Sequence, residues 1–330
     1  MLNNKIITIT GGTGSFGNAA IPILLKKINP KEIRIFSRDE MKQWDMSLKF
    51  ENFKKLSFII GDVRDEASLN KVFKDTDFVI HAAATKIVPT AEYNPEECIK
   101  TNINGAINVI KAAMSNKVKK VVALSTDKAC NPINLYGATK LCSDKLFVSS
   151  NFQSKNQITK FSVVRYGNVM GSRGSVIPFF LSKINEKYFT ITDLRMTRFM
   201  IDLNTAVETV IFALADSVGG EIFVTKIPSM KIIDVARTIS KKRFKIIGIR
   251  PGEKLHEQMI SSEDSKYTYE YKKYYKILPS IFDVYKDKKY IKNGKKVHPN
   301  FEYSSNTNEI WMKQLELKNW LKKNSKLKIF

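Results

Sequence analysis

The side chains best suited to proton chemistry stand close together near the middle of the chain. Tyr136 and Lys140 are spaced i, i+4, so on a helix they would share one face. A free tyrosine has a pKa of about 10 and is a poor base at neutral pH, but a nearby ammonium favours the phenolate and lowers that pKa. The pair therefore predicts a tyrosine that exchanges protons with lysine support.

Three further reactive side chains, Thr126, Asp127 and Lys128, come shortly before this pair. They follow an apolar run that we interpret as a strand, and parallel sheets bind ligands at the carboxyl ends of their strands. An acid beside a base suits a dehydration, which removes a proton and expels a hydroxide. A simple dehydrogenase or an epimerase needs no such pair. By spacing alone, Asp127 and Lys128 could also form a surface ion pair.

A glycine-rich segment follows the first predicted strand and opens the first predicted helix. Gly11, Gly14 and Gly17 have GxxGxxG spacing, with Ser15 and Phe16 between the last two. Glycines let the backbone turn sharply and approach a pyrophosphate, which then lies on a helix N-terminus. A glycine motif in this strand-to-helix context predicts a dinucleotide-binding loop.

The residues after the second predicted strand bear on the choice of cofactor. NAD-binding units usually carry an acid about 20 residues beyond the glycine loop, where this chain has Ser37 followed by Arg38. The arginine fork pairs well with phosphate oxygens, so we predict NADP+. Asp39 and Glu40 come next, and acids near this position favour NAD.

Two other segments are expected to contact the cofactor. Asp62 and Val63, after the third predicted strand, are placed to hold the adenine. The small run from His81 to Ala84, which includes Ala82, would let the cofactor pass close to the backbone after the fourth strand.

Short apolar runs alternate with helical stretches through the first half of the chain, as in βαβ units of a parallel sheet. The predicted strands are Ile6–Thr10, Ile33–Phe36, Leu56–Ile60, Phe78–His81, Val121–Ser125 and Phe161–Tyr166. The predicted helices are 15–28, 40–50, 66–73, 95–115 and 136–150.

The pattern loosens after about residue 170. We therefore expect an α/β fold with a Rossmann-type doubly wound parallel sheet and a smaller C-terminal substrate-binding part. Residues 1–170 would form the NADP-binding domain, joined by some later segments, and residues 171–330 would be mainly substrate-binding.

Composition argues against several other classes of protein. The net charge of the 330 residues is +23, but the lysines are scattered and no RNA-binding or zinc-finger motif accompanies them, so no nucleic-acid partner is predicted. Cys98, Cys130 and Cys142 form no CxxC pair, which predicts reduced thiols in a cytoplasmic protein without a metal site. The first strand leaves no room for a signal peptide, and no run of about 18 apolar residues predicts a membrane span.

The motifs closely resemble one family of the extended short-chain dehydrogenase type, the inverting UDP-N-acetylglucosamine 4,6-dehydratases that open pseudaminic acid biosynthesis. The resemblance runs from about residue 5 to about residue 305. The segments that carry it are TGGTGSFG, SRDE, GDVRD, AEYNPEECIKTNINGA, ALSTDKACNPINLYGATKLCSDKLF, RYGNVMGSRGSVIPFF, ITDLRMTRF, GGEIFVTKIPSMKI, GIRPGEKLHEQMI and FEYSS.

The resemblance implies a lyase that uses NADP+ catalytically on UDP-N-acetylglucosamine. NADP+ would take the C4 hydride with Tyr136 as base, supported by Lys140 and Thr126. Lys128 would remove the C5 proton and Asp127 would protonate the departing C6 hydroxyl. The hydride would return to C6 and Tyr136 would reprotonate C5 from the opposite face. The product would be UDP-2-acetamido-2,6-dideoxy-β-L-arabino-hexos-4-ulose.

The resemblance also implies a homo-oligomer, such as a hexamer, and further ligand contacts. The residues concerned are Lys86 (substrate and cofactor), Asn168, Val176, Arg250, Glu253 and Tyr303. Retaining relatives tend to carry Met where this chain has Tyr136, which favours the inverting enzyme of the flagellar type. Ile87 replaces a His of the family and Met200 replaces a Trp, changes that bear on rate or substrate fit more than on reaction class.

Two alternatives remain open from the sequence. One is a nucleotide-sugar epimerase on the same fold, which would isomerise its substrate without loss of water. The other is a non-enzymatic NADP-binding regulator or nucleic-acid binder, suggested by the net charge, which would retain DNA in a salt-dependent way.

Overall fold

The computed structural model describes residues 2–153, 158–281, 284 and 287–324. The first half alternates strands and helices. Its elements are β1 (Ile6–Thr10), α1 (Ser15–Ile28), β2 (Glu32–Ser37), α2 (Glu40–Lys49), β3 (Leu56–Ile60), α3 (Glu66–Phe73), β4 (Phe78–His81), α4 (Val88–Tyr93), α5 (Pro95–Ile99), α6 (Gly105–Ser115), β5 (Lys120–Thr126), α7 (Leu135–Ser149) and β6 (Lys160–Tyr166).

The second half has shorter strands and fewer long helices. Its elements are β7 (Asn168–Val169), α8 (Val176–Ser182), β8 (Tyr188–Ile191), β9 (Thr197–Ile201), α9 (Leu203–Asp216), β10 (Ile222–Thr225), β11 (Ser229–Lys231), α10 (Ile232–Ile239), β12 (Arg243–Ile246), β13 (Gln258–Ile260), β14 (Thr268–Glu270), β15 (Tyr274–Ile277), α11 (Lys288–Ile291), β16 (Lys295–Lys296), β17 (Tyr303–Ser304) and α12 (Gln314–Lys323).

One large sheet organises the molecule. Its strand order is β16-β14-β15-β10-β6-β5-β4-β1-β2-β3, and the run from β3 to β10 is parallel throughout. The order β3-β2-β1-β4-β5-β6 is that of a doubly wound dinucleotide-binding sheet, so the predicted α/β fold class is confirmed. Four strands of the second half join this sheet: β10 pairs with β6 in parallel, and three antiparallel pairings connect β10, β15, β14 and β16 in that order.

Burial explains why the strands of the first half could be predicted from the sequence. Every residue of β1 and of β4 is buried, because parallel strands are covered by helices on both faces and so read as continuous apolar runs. A second cluster of buried side chains includes Phe180, Phe189, Met200, Ile233 and Leu317. It gives the smaller C-terminal part a core of its own beside the main one.

The helix predicted over residues 95–115 is interrupted. The π-helical segment Lys100–Asn104 separates α5 from α6, and such insertions often accompany functional sites. The buried side chain of Asn102, within it, donates to the Thr85 carbonyl at 2.9 Å and to the Thr139 hydroxyl at 3.0 Å. The hydrogen bonds of Asn102 therefore connect the loop after β4 to α7.

Within the described part of the chain, every helix is too short or too polar to span a bilayer.

Candidate active site

A cleft of about 880 Å³ opens where β1, β4, β5 and β6 end. The tips of these parallel strands form one wall, and segments of the second half form the other. The structure places all the predicted site residues on this cleft except Gly17 and Tyr303. Residues as distant in sequence as the glycine loop and Arg250 thus share one cavity.

The glycine loop adopts the geometry that a pyrophosphate needs. Gly11 has φ +67°, and a Cβ added there would lie 2.7 Å from the Ala83 Cα, so the alanine run after β4 packs directly on the loop. Gly14 caps α1 without a capping side chain, which leaves the first amides of the helix available to an anion.

Gly17 has a packing role. A Cβ at Gly17 would lie 1.8 Å from the Gly12 carbonyl oxygen, far inside van der Waals contact. Its missing side chain lets the first turn of α1 close onto the loop. Gly17 therefore supports the conformation of the loop by close packing, and it does not line the cleft.

The end of the cleft near β2 carries the groups that bear on NADP+ or NAD. The Asp39 carboxylate caps α2 by accepting from the Lys42 amide at 2.9 Å, and the Lys42 ammonium also pairs with it. These hydrogen bonds lower the pKa of Asp39. The half-exposed Arg38 guanidinium lies 3.7 Å from the Asp62 carboxylate, and Arg38, Lys42 and Ser37 all line the cleft.

Helix α7 positions the tyrosine and lysine of the predicted pair. Asn134 caps the helix by accepting from the Gly137 amide at 2.7 Å, so Tyr136 and Lys140 lie one turn apart, and both line the cleft. Burial raises the pKa of Tyr136 to about 12, although the Lys128 ammonium and a hydrogen bond with Thr126 lower it. Burial also lowers the pKa of Lys140, although the Asp144 carboxylate raises it.

Asp127 and Lys128 form an ion pair inside the cleft, which removes the alternative of a surface ion pair. Asp127 is 1% exposed, and its Oδ1 accepts from the Thr126 hydroxyl and from Lys128 Nζ, each at 3.0 Å. Lys128 Nζ also lies 3.1 Å from Glu257 Oε1. Burial lowers the pKa of Lys128, but the two carboxylates outweigh it and raise the pKa above its usual value.

Glu257 is a cleft residue that sequence reasoning missed. It is 2% exposed and directly precedes β13, which pairs with β17. Its backbone amide donates to the Ser305 hydroxyl at 2.9 Å, which fixes the segment that presents the carboxylate. No spacing rule connects Glu257 to Lys128, and its one signal is its position within GIRPGEKLHEQMI.

The loop before α8 crosses the glycine loop and supplies a second residue that was missed, Arg173. Its amide donates to the Ser15 hydroxyl at 3.3 Å, and its carbonyl accepts from Lys86 Nζ at 2.8 Å. Burial and the nearby Arg173 charge lower the pKa of Lys86. This loop therefore links the predicted cofactor residues to the second half.

Four of the predicted substrate contacts line the part of the cleft formed by the second half: Asn168, Val176, Arg250 and Glu253. Asn168 and Val176 stand at the starts of β7 and α8. Arg250 forms an ion pair with Glu253, and its guanidinium is half-exposed, so it remains accessible to an anionic ligand such as a diphosphate.

Tyr303 lies apart from the cleft in this structure. It is 4% exposed, and its hydroxyl accepts from the Ile227 amide at 2.9 Å and donates to the Ile227 carbonyl at 3.0 Å. A hydroxyl engaged in this way inside the core is closed to a substrate. Of the two departures from the family pattern, Ile87 lines the cleft, whereas Met200 is buried in the second core.

The doubly wound sheet, with a glycine loop and a Tyr-Lys pair facing one cleft, defines an extended short-chain dehydrogenase fold. The chain belongs to the family described as "Polysaccharide biosynthesis protein", whose sequence model matches residues 7–279.

Comparison with individual proteins narrows the relationship. The chain is 56% identical over 96% of its length to a Campylobacter jejuni protein named "UDP-N-acetylglucosamine 4,6-dehydratase (inverting)", covering 97% of that protein. It is 44% identical over 96% of its length to a Rickettsia bellii protein named "UDP-glucose 4-epimerase", covering 95% of it. The X-ray structure of Pen from Bacillus thuringiensis superposes with a TM-score of 0.88 at 35% identity, with 98% of this chain and 99% of that chain covered.

Proposed function

We propose that this protein is a C5-inverting UDP-N-acetylglucosamine 4,6-dehydratase, a lyase that uses NADP+ catalytically. The observation that carries the proposal is the buried Asp127–Lys128 pair in the same cleft as Tyr136 and the glycine loop. A carboxyl and an amine beside a tyrosine supply what a dehydration needs, an acid for the leaving hydroxyl and bases for two different protons. The similarity to the Campylobacter jejuni dehydratase supports the same substrate.

The residues present fit a nicotinamide cofactor. Gly11 and Gly14 leave room for a pyrophosphate at the start of α1. Asp62, Val63 and Ala82 line the same cleft, where Asp62 and Val63 would hold the adenine and Ala82 would let the cofactor pass close to the backbone. We infer NADP+ over NAD because Arg38 and Lys42 line the cleft after β2 and would pair with a 2′-phosphate, while Asp39 is engaged as a helix cap. When bound, the cofactor would accept the C4 hydride and return it to C6.

The chain's own residues would move the protons. Tyr136 would take the proton of the C4 hydroxyl, with Thr126 holding that oxygen and Lys140 supporting the tyrosine. Once C4 is a ketone, the C5 proton becomes acidic, and Lys128 would remove it while Asp127 protonates the leaving C6 hydroxyl. Tyr136 would then deliver its proton to C5 from the opposite face, inverting that centre.

The uridine diphosphate would lie along the second half of the cleft. Arg250 offers a guanidinium for the diphosphate, held beside Glu253. Asn168, whose Oδ1 is buried without a partner among the described residues, and Lys86 would contact the sugar. Val176 at the start of α8 would pack against the ligand.

A second candidate, a nucleotide-sugar epimerase, is favoured by the Rickettsia bellii relative. An epimerase also uses a Tyr-Lys pair and a nicotinamide, but it has no use for an acid and a base at the position of Asp127 and Lys128. We therefore place it second.

The test is incubation of the purified protein with UDP-N-acetylglucosamine and NADP+, followed by mass spectrometry of the nucleotide sugar. A dehydratase yields a product that has lost one water, without net consumption of the cofactor. A new isomer of unchanged mass would support the epimerase instead.

The resemblance to the inverting dehydratases also supports a proposal about the cellular setting. We propose that the product enters pseudaminic acid synthesis for flagellin glycosylation and that the protein acts as a homo-oligomer, such as a hexamer. The three free cysteines suit the reducing cytoplasm. Sedimentation equilibrium of the purified chain would measure the oligomer mass.

A further inference from the structure

Glu257 is a buried carboxylate in the cleft for which the dehydration scheme above has no use. Its Oε1 lies 3.1 Å from Lys128 Nζ, within hydrogen-bond distance. Its Oε2 is buried without a hydrogen-bond partner among the described residues. An unpartnered buried carboxylate oxygen is costly, so a role for this group is expected.

Lys128 must lose a proton before it can act as the base for the C5 proton, and Glu257 is placed to accept it. To remove the C5 proton, Lys128 Nζ needs a free lone pair, yet the adjacent Glu257 carboxylate favours the ammonium. Asp127 is the acid for the leaving C6 hydroxyl, so it enters the elimination already protonated and cannot accept the proton of Lys128. Among the described residues, Glu257 is the other carboxyl group within reach of Nζ.

We propose that Glu257 is a positioning residue for the C5 base: it holds Lys128 Nζ and accepts its proton before the elimination. This inference rests on the proposed dehydratase function. One N–H bond of Lys128 breaks and one O–H bond forms on Glu257, so a buried ion pair becomes a neutral acid and amine. A cleft closed by substrate and cofactor has a low dielectric, which disfavours the charged forms of both groups.

The proton count closes over one turnover. The amine of Lys128 takes the C5 proton and becomes an ammonium, the C6–O bond breaks, and Asp127 gives its proton to the departing hydroxyl, which leaves as water. Glu257 holds the proton that it accepted during these steps. That proton then passes through Lys128 Nζ to the ionised Asp127, which restores the Glu257 carboxylate, the Lys128 ammonium and the Asp127 acid for the next turnover.

The other cations near Glu257 are hydrogen-bonded to backbone carbonyls, so they do not prevent the transfer of the Lys128 proton to Glu257. Arg198 Nε lies 3.7 Å from Oε1, but the Arg198 guanidinium donates at shorter range to the backbone carbonyls of Thr197 and Lys254, at 2.7 and 2.9 Å. The Lys254 ammonium donates to the Cys130 carbonyl at 2.6 Å. Lys128 is thus the cation closest to the carboxylate.

The experiment compares E257Q, E257D and the wild type in the dehydration assay across pH. Gln keeps the shape and can still accept a hydrogen bond, but it cannot take a proton. We expect kcat of E257Q to fall about 10²-fold at neutral pH with KM nearly unchanged. Its kcat should rise about tenfold per pH unit, because Lys128 must now lose its proton to solvent. E257D should recover part of kcat and the flatter wild-type pH profile.

Controls separate this role from a structural one. E270Q breaks a comparable carboxylate–lysine pair, with Lys226 at 2.6 Å, outside the cleft, and should behave as the wild type. NADP+ affinity of E257Q should stay within about twofold, since Glu257 stands apart from the glycine loop.

Three results would overturn the proposal: an E257Q variant with wild-type kcat and pH profile, an effect on KM alone, or, should E257Q fail to fold, an E257A variant with wild-type kcat and pH profile. A wild-type protein that does not dehydrate UDP-N-acetylglucosamine would instead contradict the proposed function itself, before any variant is compared.

Discussion

At the scale of residues, burial and neighbouring charges together decide the protonation of each reactive group. Burial raises the pKa of Tyr136 to about 12, and the Lys128 ammonium is one of the groups that lower it. Lys128 in turn is held between Asp127 and Glu257. The proton chemistry of the cleft is therefore a property of these four side chains as a set.

Lys128→Ala should block the elimination while leaving cofactor binding intact. Loss of a general base typically costs 10²- to 10⁴-fold, and we expect water loss to fall by at least about 10²-fold, with NADP+ affinity unchanged. Lys128→Arg keeps a cation between the two carboxylates but cannot be deprotonated, so it should be equally inactive. Near wild-type dehydration by either variant, measured by mass spectrometry, would show that Lys128 is not the base.

Arg38→Ala should weaken NADP+ far more than NAD. A charge-assisted hydrogen bond contributes about 1.5–3 kcal/mol, which corresponds to about a 10- to 100-fold loss of NADP+ affinity by calorimetry. Arg237→Ala removes an equally exposed arginine that pairs with Asp234 outside the cleft and should change neither affinity. Equal losses for both cofactors in Arg38→Ala would remove the argument from the 2′-phosphate.

At the scale of elements, the strand tips and helix starts carry the site, and the rigidity of the glycine loop depends on close backbone packing. The alanine run after β4 packs on Gly11, and the first turn of α1 packs on Gly12 through Gly17. Both contacts exclude a side chain. The loop is thus held in place before a cofactor arrives, which lowers the ordering cost of binding.

Gly17→Ala should therefore destabilise both the fold and the cofactor site. Its new Cβ would meet the Gly12 carbonyl at 1.8 Å, whereas one at Gly14 would meet the nearest atom, the Gly11 oxygen, at 3.2 Å. Overpacking costs about 1–3 kcal/mol, so chemical denaturation should show a loss of that size for Gly17→Ala and a smaller one for Gly14→Ala. A reversed order would contradict this view of the loop.

Sequence patterns predicted the first six strands to within one residue at each end, because a buried parallel strand is a continuous apolar run bounded by turns. The same patterns missed the π-helical segment Lys100–Asn104, which depends on tertiary hydrogen bonds of Asn102. They missed Glu257 because β13 and β17 bring it to Lys128 across a long stretch of chain. They gave no sign that Tyr303 is buried with its hydroxyl bonded to Ile227, because an aromatic hydroxyl can be satisfied by backbone groups in a core as readily as by a ligand.

At the scale of the whole molecule, a main sheet and a smaller second core meet along one cleft, and the reactive groups are buried where they meet. Burial of ionisable groups also couples the folding free energy to pH. His81, at the end of β4, is 1% exposed and accepts or donates one hydrogen bond, with the Thr10 hydroxyl at 2.8 Å. Burial, with the charge of Lys140, lowers the pKa of His81 to about 3.

The free energy of unfolding should therefore fall as pH drops below about 6.5. In the window from about 6.5 down to about 3, the unfolded chain binds a proton at His81 that the folded chain does not, so protons favour unfolding. Between pH 7 and pH 5 this one group accounts for about 2 kcal/mol. His81→Gln removes the titration and should lose that much less stability than the wild type over the same interval.

His298 provides the matched control, because it is an exposed histidine whose replacement by Gln should keep the wild-type dependence of stability on pH. Denaturant titrations at the two pH values measure all three proteins. Identical pH dependence in His81→Gln and the wild type would mean that His81 is protonated in the folded state.

The most direct test of the proposed chemistry is the configuration at C5 of the product formed in deuterated water, determined by NMR. Lys128 and Tyr136 acting on opposite faces predict a 4-keto-6-deoxy sugar with inverted C5 that carries deuterium there, because the proton that Tyr136 delivers comes from an exchangeable hydroxyl. A 4-keto-6-deoxy product with the original C5 configuration, or a nucleotide sugar that still carries its C6 hydroxyl, would contradict it.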